Sequence, residues 1–264
     1  MEGKLYQKKY IIDQAKASLF IIHGLHEHCE RYSTLAQTFN MYGIDVYTFD
    51  LKGHGRSSGE PHFVQSIQEY VNDVDLVINE IPKHKPLLIL GHSMGGLIAV
   101  AYLLDKGQQN FSGLVLSGAA LKPGKDITPL KASLVKIIAK FFPRMKTVPV
   151  KPHLVSRDKV EVQKYIDDPN IALYGAKAGL GVALLNAIAE VKDRYNEIQL
   201  PTLVMHGMED LITDPEGSRM FYDAIKSKDK TLKIWESCYH EIFNEINKDE
   251  VIRYTADWIV SKVS

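Results

Sequence analysis

The sequence predicts an α/β protein, a doubly wound and mostly parallel sheet with an inserted, mainly helical cap. Three observations carry this expectation. Short apolar, β-rich runs recur at residues 17–22, 44–49, 86–90, 114–117, 202–205 and 231–235, and such runs suit buried parallel strands. Longer segments with helical spacing separate them, and such alternation builds a doubly wound sheet. The rhythm breaks between Ala119 and Glu190, where helical pieces and the prolines 123, 129, 143, 149, 152 and 169 occur without a clear strand.

Taken in order, a helix is expected over Tyr32 to Tyr42, closed by Gly43, and another over Ser66 to Ile81 with Tyr70, Val74, Val77 and Ile81 on one face. A third, Gly96 to Leu104, follows the strand at 86–90. The last helix should begin near Asn247, capped by that side chain with Glu250 answering three residues on, and turn Val251, Tyr254, Trp258 and Ile259 toward the core. At 264 residues the chain fits one domain, 1–264, with the cap inserted at about 119–190.

Within the cap, Leu130, Leu134, Ile137, Ile138 and Phe141 form one stripe at helical spacing, opposite Ser133, Lys136 and Lys140. Two readings stay open. The stripe packs on its own domain, as most such helices do, or part of it faces lipid, because residues 122–151 hold eight basic side chains and one acidic.

Composition narrows the function. Lys and Arg total 32, as do Asp and Glu, and basic residues do not interleave with aromatics as in a single-strand groove, so nucleic acid is not an expected partner. Two cysteines, Cys29 and Cys238, suit neither a disulfide scaffold nor a zinc site and point to a reducing cytoplasm. With neither a secretory signal at the start nor a run of about 18 apolar residues, membrane contact is expected to be peripheral.

The chemistry centres on Gly91-His92-Ser93-Met94-Gly95, placed directly after a strand and before an apolar helix. Such a turn forces Ser93 into a strained backbone and lifts its Oγ above the sheet, as a nucleophile requires. Serine needs a base and an orienting carboxylate, in the order Ser, Asp, His. Asp210 lies in the loop after the strand 202–205, and His240 in the loop after 231–235, downstream of both. Asp214 competes for the acid, but Asp214-Pro215 reads as a helix cap followed by proline at the first helical position. The backbone N–H groups of Leu25, in His23-Gly24-Leu25, and of Met94 are the expected oxyanion-hole donors. The glycine-rich loop after Asp50, residues 53–59, lacks the Lys of a phosphate cradle and reads as a tight loop packed beside the nucleophile. No metal or organic cofactor is expected.

The sequence resembles the monoglyceride lipases and their lysophospholipase-like relatives, members of the α/β-hydrolase fold. The resemblance covers His23-Gly24-Leu25-His26-Glu27-His28 with Arg31-Tyr32, Phe49-Asp50 through Gly53-His54-Gly55-Arg56-Ser57, Gly91 to Gly96, Ser156-Arg157 with Tyr165 and Asp168-Pro169, His206-Gly207 with Asp210, and Lys230 to Lys233 leading to Tyr239-His240. It implies a Ser93, Asp210, His240 triad, a cap that shapes an apolar acyl tunnel around Tyr165, and a monoacylglycerol substrate; a lysophospholipid or general carboxylic ester is the alternative, and a non-catalytic binder a more distant one. It also implies that Glu27 and Arg31 receive the glycerol head, although a Glu27–Arg31 pair that merely fixes its turn serves equally. Where mammalian members carry a second histidine three residues after the catalytic one, this chain has Phe243.

Overall fold

The computed structural model describes residues 3–146, 151–171, 173 and 175–263; positions 147–150, 172 and 174 of the expected insertion lie outside them. Seven strands form one sheet: β1 (Gln7–Tyr10), β2 (Ala17–Ile22), β3 (Ile44–Phe49), β4 (Leu87–His92), β5 (Gly113–Ser117), β6 (Thr202–Gly207) and β7 (Lys230–Trp235). Their order is β1-β3-β2-β4-β5-β6-β7, and every pairing except β1 with β3 is parallel.

All six expected strands form, and β2 to β6 are buried along their whole length. β1 was not foreseen. It is a polar edge strand, Gln-Lys-Lys-Tyr, held by its backbone register with Val46 to Phe49, and an edge strand needs no apolar side chains to pair.

Helices α1 (Ser33–Met41) and α8 (Lys248–Ser261) cover one face, while α2 (Ile67–Asn79), α3 (Met94–Lys106) and α7 (Pro215–Ala224) cover the other. Ser66 caps α2 by accepting from Gln68 N. Asn247 departs from expectation: its side chain makes no cap to α8 and instead accepts from Cys238 Sγ at 3.2 Å. Val251, Trp258 and Ile259 still reach the core, with Tyr254 packed against it.

Between β5 and β6 lie α4 (Pro129–Phe141), α5 (Lys159–Asp167) and α6 (Ala178–Lys192). The inner side of α6 joins the core through Leu180, Ala183, Ala187 and Val191. α4 buries no residue fully. It turns Ala132, Val135, Ile138 and Ala139 partly inward, whereas Leu130, Leu134, Ile137 and Phe141 are 80%, 55%, 59% and 66% exposed. The expectation of a core-packing stripe is therefore overturned for these four, because Ala132, Val135 and Ala139, with Ile138 alone of the stripe, make the close face.

No helix among the described residues is long and apolar enough to cross a membrane.

Candidate active site

Ser93 sits at the junction of β4 and α3 with φ 53° and ψ −120°. Positive φ costs a non-glycine residue energy, and the surrounding bonds hold it there. Ser93 N–H donates to Ser117 O at 3.0 Å, and Ala120 N–H donates to Ser93 O at 2.9 Å. Both clamps come from the segment that leaves β5.

The same segment bounds the candidate base. At Gly118, φ 53°, a Cβ would lie 2.9 Å from His240 O and 3.3 Å from His240 Nδ1, so only glycine admits the imidazole so closely. The His240 ring packs on His92, the residue before Ser93, with centroids 4.8 Å apart. Ser93 and His240 are thus brought to one place, both nearly buried. Among the described hydrogen bonds none yet joins the Ser93 hydroxyl to His240.

His240 Nδ1 lies 2.7 Å from Asp210 Oδ2. The acid is heavily bonded: Oδ1 accepts from the backbone N–H groups of Ile212 (2.7 Å) and Thr213 (3.1 Å), and Oδ2 also accepts from Thr213 Oγ1 (2.9 Å). Burial opposes ionisation of Asp210, but His240 and His206 outweigh it and hold the carboxyl far below the usual carboxylate range. For His240 burial likewise disfavours the charge, and Asp210 overcomes it and raises the imidazole above its ordinary value of 6.5. The competitor Asp214 accepts from Glu216 N at 3.1 Å with Pro215 opening α7, as its sequence context implied.

His206 had been assigned no role. Its Nε2 lies 2.9 Å from Asp210 Oδ2 and its Nδ1 2.7 Å from Ser218 Oγ. A carboxylate only accepts, so His206 Nε2 donates to Asp210. A histidine near the end of a strand, four residues before the acid, is the available signal.

None of the described hydrogen bonds uses the backbone N–H of Leu25 or Met94. Gly24 explains how Leu25 comes close: a Cβ there would meet Glu27 Oε2 at 2.7 Å and Ser93 Cβ at 3.1 Å. Glu27 fixes this turn, accepting from Gly24 N–H (2.8 Å) and the Tyr32 hydroxyl (3.0 Å) on Oε2 and from Arg31 Nη1 (2.6 Å) on Oε1. The pair thus fixes its own turn. Tyr165 of α5 covers the Arg31 guanidinium at 4.6 Å, and His28 Nε2 meets Asp168 Oδ2 at 2.8 Å, which ties α5 to the turn. Phe243 is buried in the core beside Trp235 and Ile242, with one side toward a cavity that Arg31 also lines.

Asp50 secures the glycine-rich loop, accepting from Cys29 N and Arg56 N, each at 2.7 Å. Burial is the main influence on both thiols; with Asp50 adding to it at Cys29, both are pushed up, Cys238 to about 11, and neither is a thiolate nucleophile.

Glu241 is the other residue that sequence reasoning passed over. It chelates Arg31, Nη1 to Oε1 and Nη2 to Oε2 at 2.8 Å each. Glu27, His92 and Glu241 bring three ligand atoms within 4.8 Å of one another, a spacing that a metal ion could use, but Arg31 is already bonded to both carboxylates and supplies the positive charge.

A family model described as "Serine aminopeptidase, S33" matches residues 13–247. The chain is 33% identical over 255 residues to a monoglyceride lipase of Mus musculus, covering 94% of this chain and 84% of that protein. The chain belongs to the monoglyceride lipase family of α/β-hydrolases. It is an enzyme of the ester-hydrolase class. A crystal structure of a Paleococcus ferrophilus monoacylglycerol lipase superposes with a TM-score of 0.89 at 31% identity, over 98% of this chain and 99% of that one. The chain also matches an abhydrolase domain-containing protein of Dictyostelium discoideum at 34% identity over 94% of its own length, and spans 26% of that longer protein.

Proposed function

We propose that this member hydrolyses monoacylglycerols to fatty acid and glycerol through Ser93, His240 and Asp210. The observation that carries the proposal is the 2.7 Å pairing of Asp210 with a His240 ring packed against the serine turn. His240 takes the Ser93 proton as Oγ bonds to the ester carbon, the amide N–H groups of Leu25 and Met94 receive the developing oxyanion, and the carbon–oxygen bond to glycerol breaks as His240 returns the proton to it. Water then repeats the sequence on the acyl-enzyme, releasing fatty acid and restoring the serine hydroxyl.

Residues 119–190 act in this reading as a cap that shapes the acyl tunnel. Its exposed stripe, Leu130, Leu134, Ile137 and Phe141, lies against the lipid surface, with Lys131, Lys136 and Lys140 near anionic head groups. The similarity to monoglyceride and monoacylglycerol lipases supports the substrate.

A lysophospholipase or general carboxylesterase is the second reading, favoured by the apolar Phe243 beside the Arg31 cavity. A panel of monoacylglycerol, lysophosphatidylcholine and p-nitrophenyl esters, compared by kcat/KM, decides between them. The proposal expects monoacylglycerol to lead, and a clear preference for the phospholipid overturns it.

A further inference from the structure

Arg31 stands between two buried carboxylates, and its charge does not balance theirs. It bonds Glu27 once and Glu241 twice, which leaves one negative charge over. Burial opposes ionisation of Glu241, yet Arg31 holds its carboxyl down to about 2. His92 does little to make up the difference, because burial pushes its imidazole below the ordinary value.

The surplus borders empty space. A cavity of about 320 Å³ is lined by Glu27, Arg31, His92, Glu241 and Phe243 and continues outward between α1 and α8; its wall holds six Asp or Glu against three Lys or Arg, and of these acids Glu30 is balanced from outside the wall by Arg56 and Lys8. An excess of one sign of charge between low-dielectric walls concentrates the field. The cavity abuts the chemistry, since His92 packs on His240 at 4.8 Å and Glu27 Oε2 and Ser93 Cβ lie against the same side of Gly24.

We propose that Glu241 sets the charge selectivity of the reaction: with Glu27 it keeps the space behind the base negative, so the enzyme accepts esters of neutral or cationic alcohols and rejects esters whose leaving alcohol carries a phosphate. The proposal rests on Ser93 and His240 acting as nucleophile and base. A charge acts through space, so the alcohol need not touch Glu241. At an effective dielectric near 20, one unit charge about 10 Å from another alters a rate by roughly tenfold. The selectivity is opposite in sign to that of the exposed face of α4, whose lysines attract anionic aggregates, so it must be measured on esters that stay monomeric.

The test uses butyryl esters in dilute solution, comparing kcat/KM for butyrylglycerol, butyrylglycerol 3-phosphate, butyrylcholine and 3,3-dimethylbutyl butyrate, the neutral isostere of the choline ester. The wild-type protein is expected to disfavour the phosphate by about tenfold or more and to prefer butyrylcholine over its isostere. Glu241→Gln should shrink both ratios, while Glu241→Asp, which keeps the charge but disturbs the geometry, should preserve them even if overall activity falls. A wild-type protein indifferent to charge overturns the proposal, and so does a folded Glu241→Gln variant with unchanged ratios. If that variant does not fold, the wild-type isostere pair still decides. Failure to hydrolyse any of the four esters, with Ser93 unreactive toward a fluorophosphonate, instead overturns the assignment of the nucleophile.

Discussion

His206 Nε2 lies 2.9 Å from Asp210 Oδ2, the same oxygen that faces His240. Asp210 is therefore oriented from behind by a second imidazole, itself fixed by Ser218. A hydrogen bond to a charged group contributes about 1.5–3 kcal/mol, so His206→Ala should lower kcat by roughly 10- to 100-fold with KM unchanged. Without that competing donor Asp210 draws more strongly on His240, and the acid limb of the pH profile should move upward. An unchanged kcat and limb would show that His206 only fills space.

The two aspartates of this loop separate by their phenotypes. Asp210→Asn should cut kcat by about 10⁴, as when the orienting acid of such a triad is neutralised. Asp214→Ala, which removes the cap of α7, should leave kcat intact and cost about 1 kcal/mol, or about 2–4 °C in Tm for a chain of this size. Kinetics and thermal unfolding of both variants check this, and the reverse pattern would exchange their roles.

The His240 pairing gives activity and stability opposite trends with pH. Its folded value is raised above 6.5, so kcat/KM should rise with pH through a midpoint above 6.5, as the base loses its proton. The stability contributed by the charged pair is fully present below the unfolded value near 6.5 and is lost as pH climbs through the folded one. Unfolding and kinetics measured over the same pH range should cross in this way in the wild type, and the stability decrement should vanish in Asp210→Asn.

The exposed stripe of α4 predicts a separable membrane defect. Leu134→Glu with Ile137→Glu alters two side chains that the protein does not bury and should weaken binding to anionic vesicles by at least about tenfold, given about 1.5–3 kcal/mol for each buried aliphatic side chain. Hydrolysis of soluble p-nitrophenyl butyrate should persist within about twofold, on the same ground that neither residue packs on the protein. Equal loss on both would indicate misfolding.

The contrast between α4 and the sheet shows what a sequence reveals. Buried strands such as Leu114–Leu116 of β5 are legible because burial on both faces demands apolar residues. The Ser93 turn and the order of Asp210 and His240 are legible because strained geometry and chain order restrict the residue types. β1 escapes because backbone pairing at an edge leaves little trace in side chains. The side of α4 that packs escapes because Ala132, Val135 and Ala139 are as compatible with a helix interface as the larger stripe, and only tertiary packing chooses. Asn247 matches a capping pattern yet serves Cys238, since a local motif competes with any nearby donor. Glu241 is invisible as a site residue because its partner Arg31 lies 210 positions away.

Fatty-acid release from a monoacylglycerol by the wild-type protein and by Ser93→Ala, with thermal unfolding as the control, asks whether Ser93 is the nucleophile. Alanine tolerates the φ of 53° no worse than serine, so the variant should fold with an unchanged Tm and lose activity by a factor of about 10⁴ or more, as triad nucleophiles do. A folded Ser93→Ala protein that still releases fatty acid at near the wild-type rate would contradict the account.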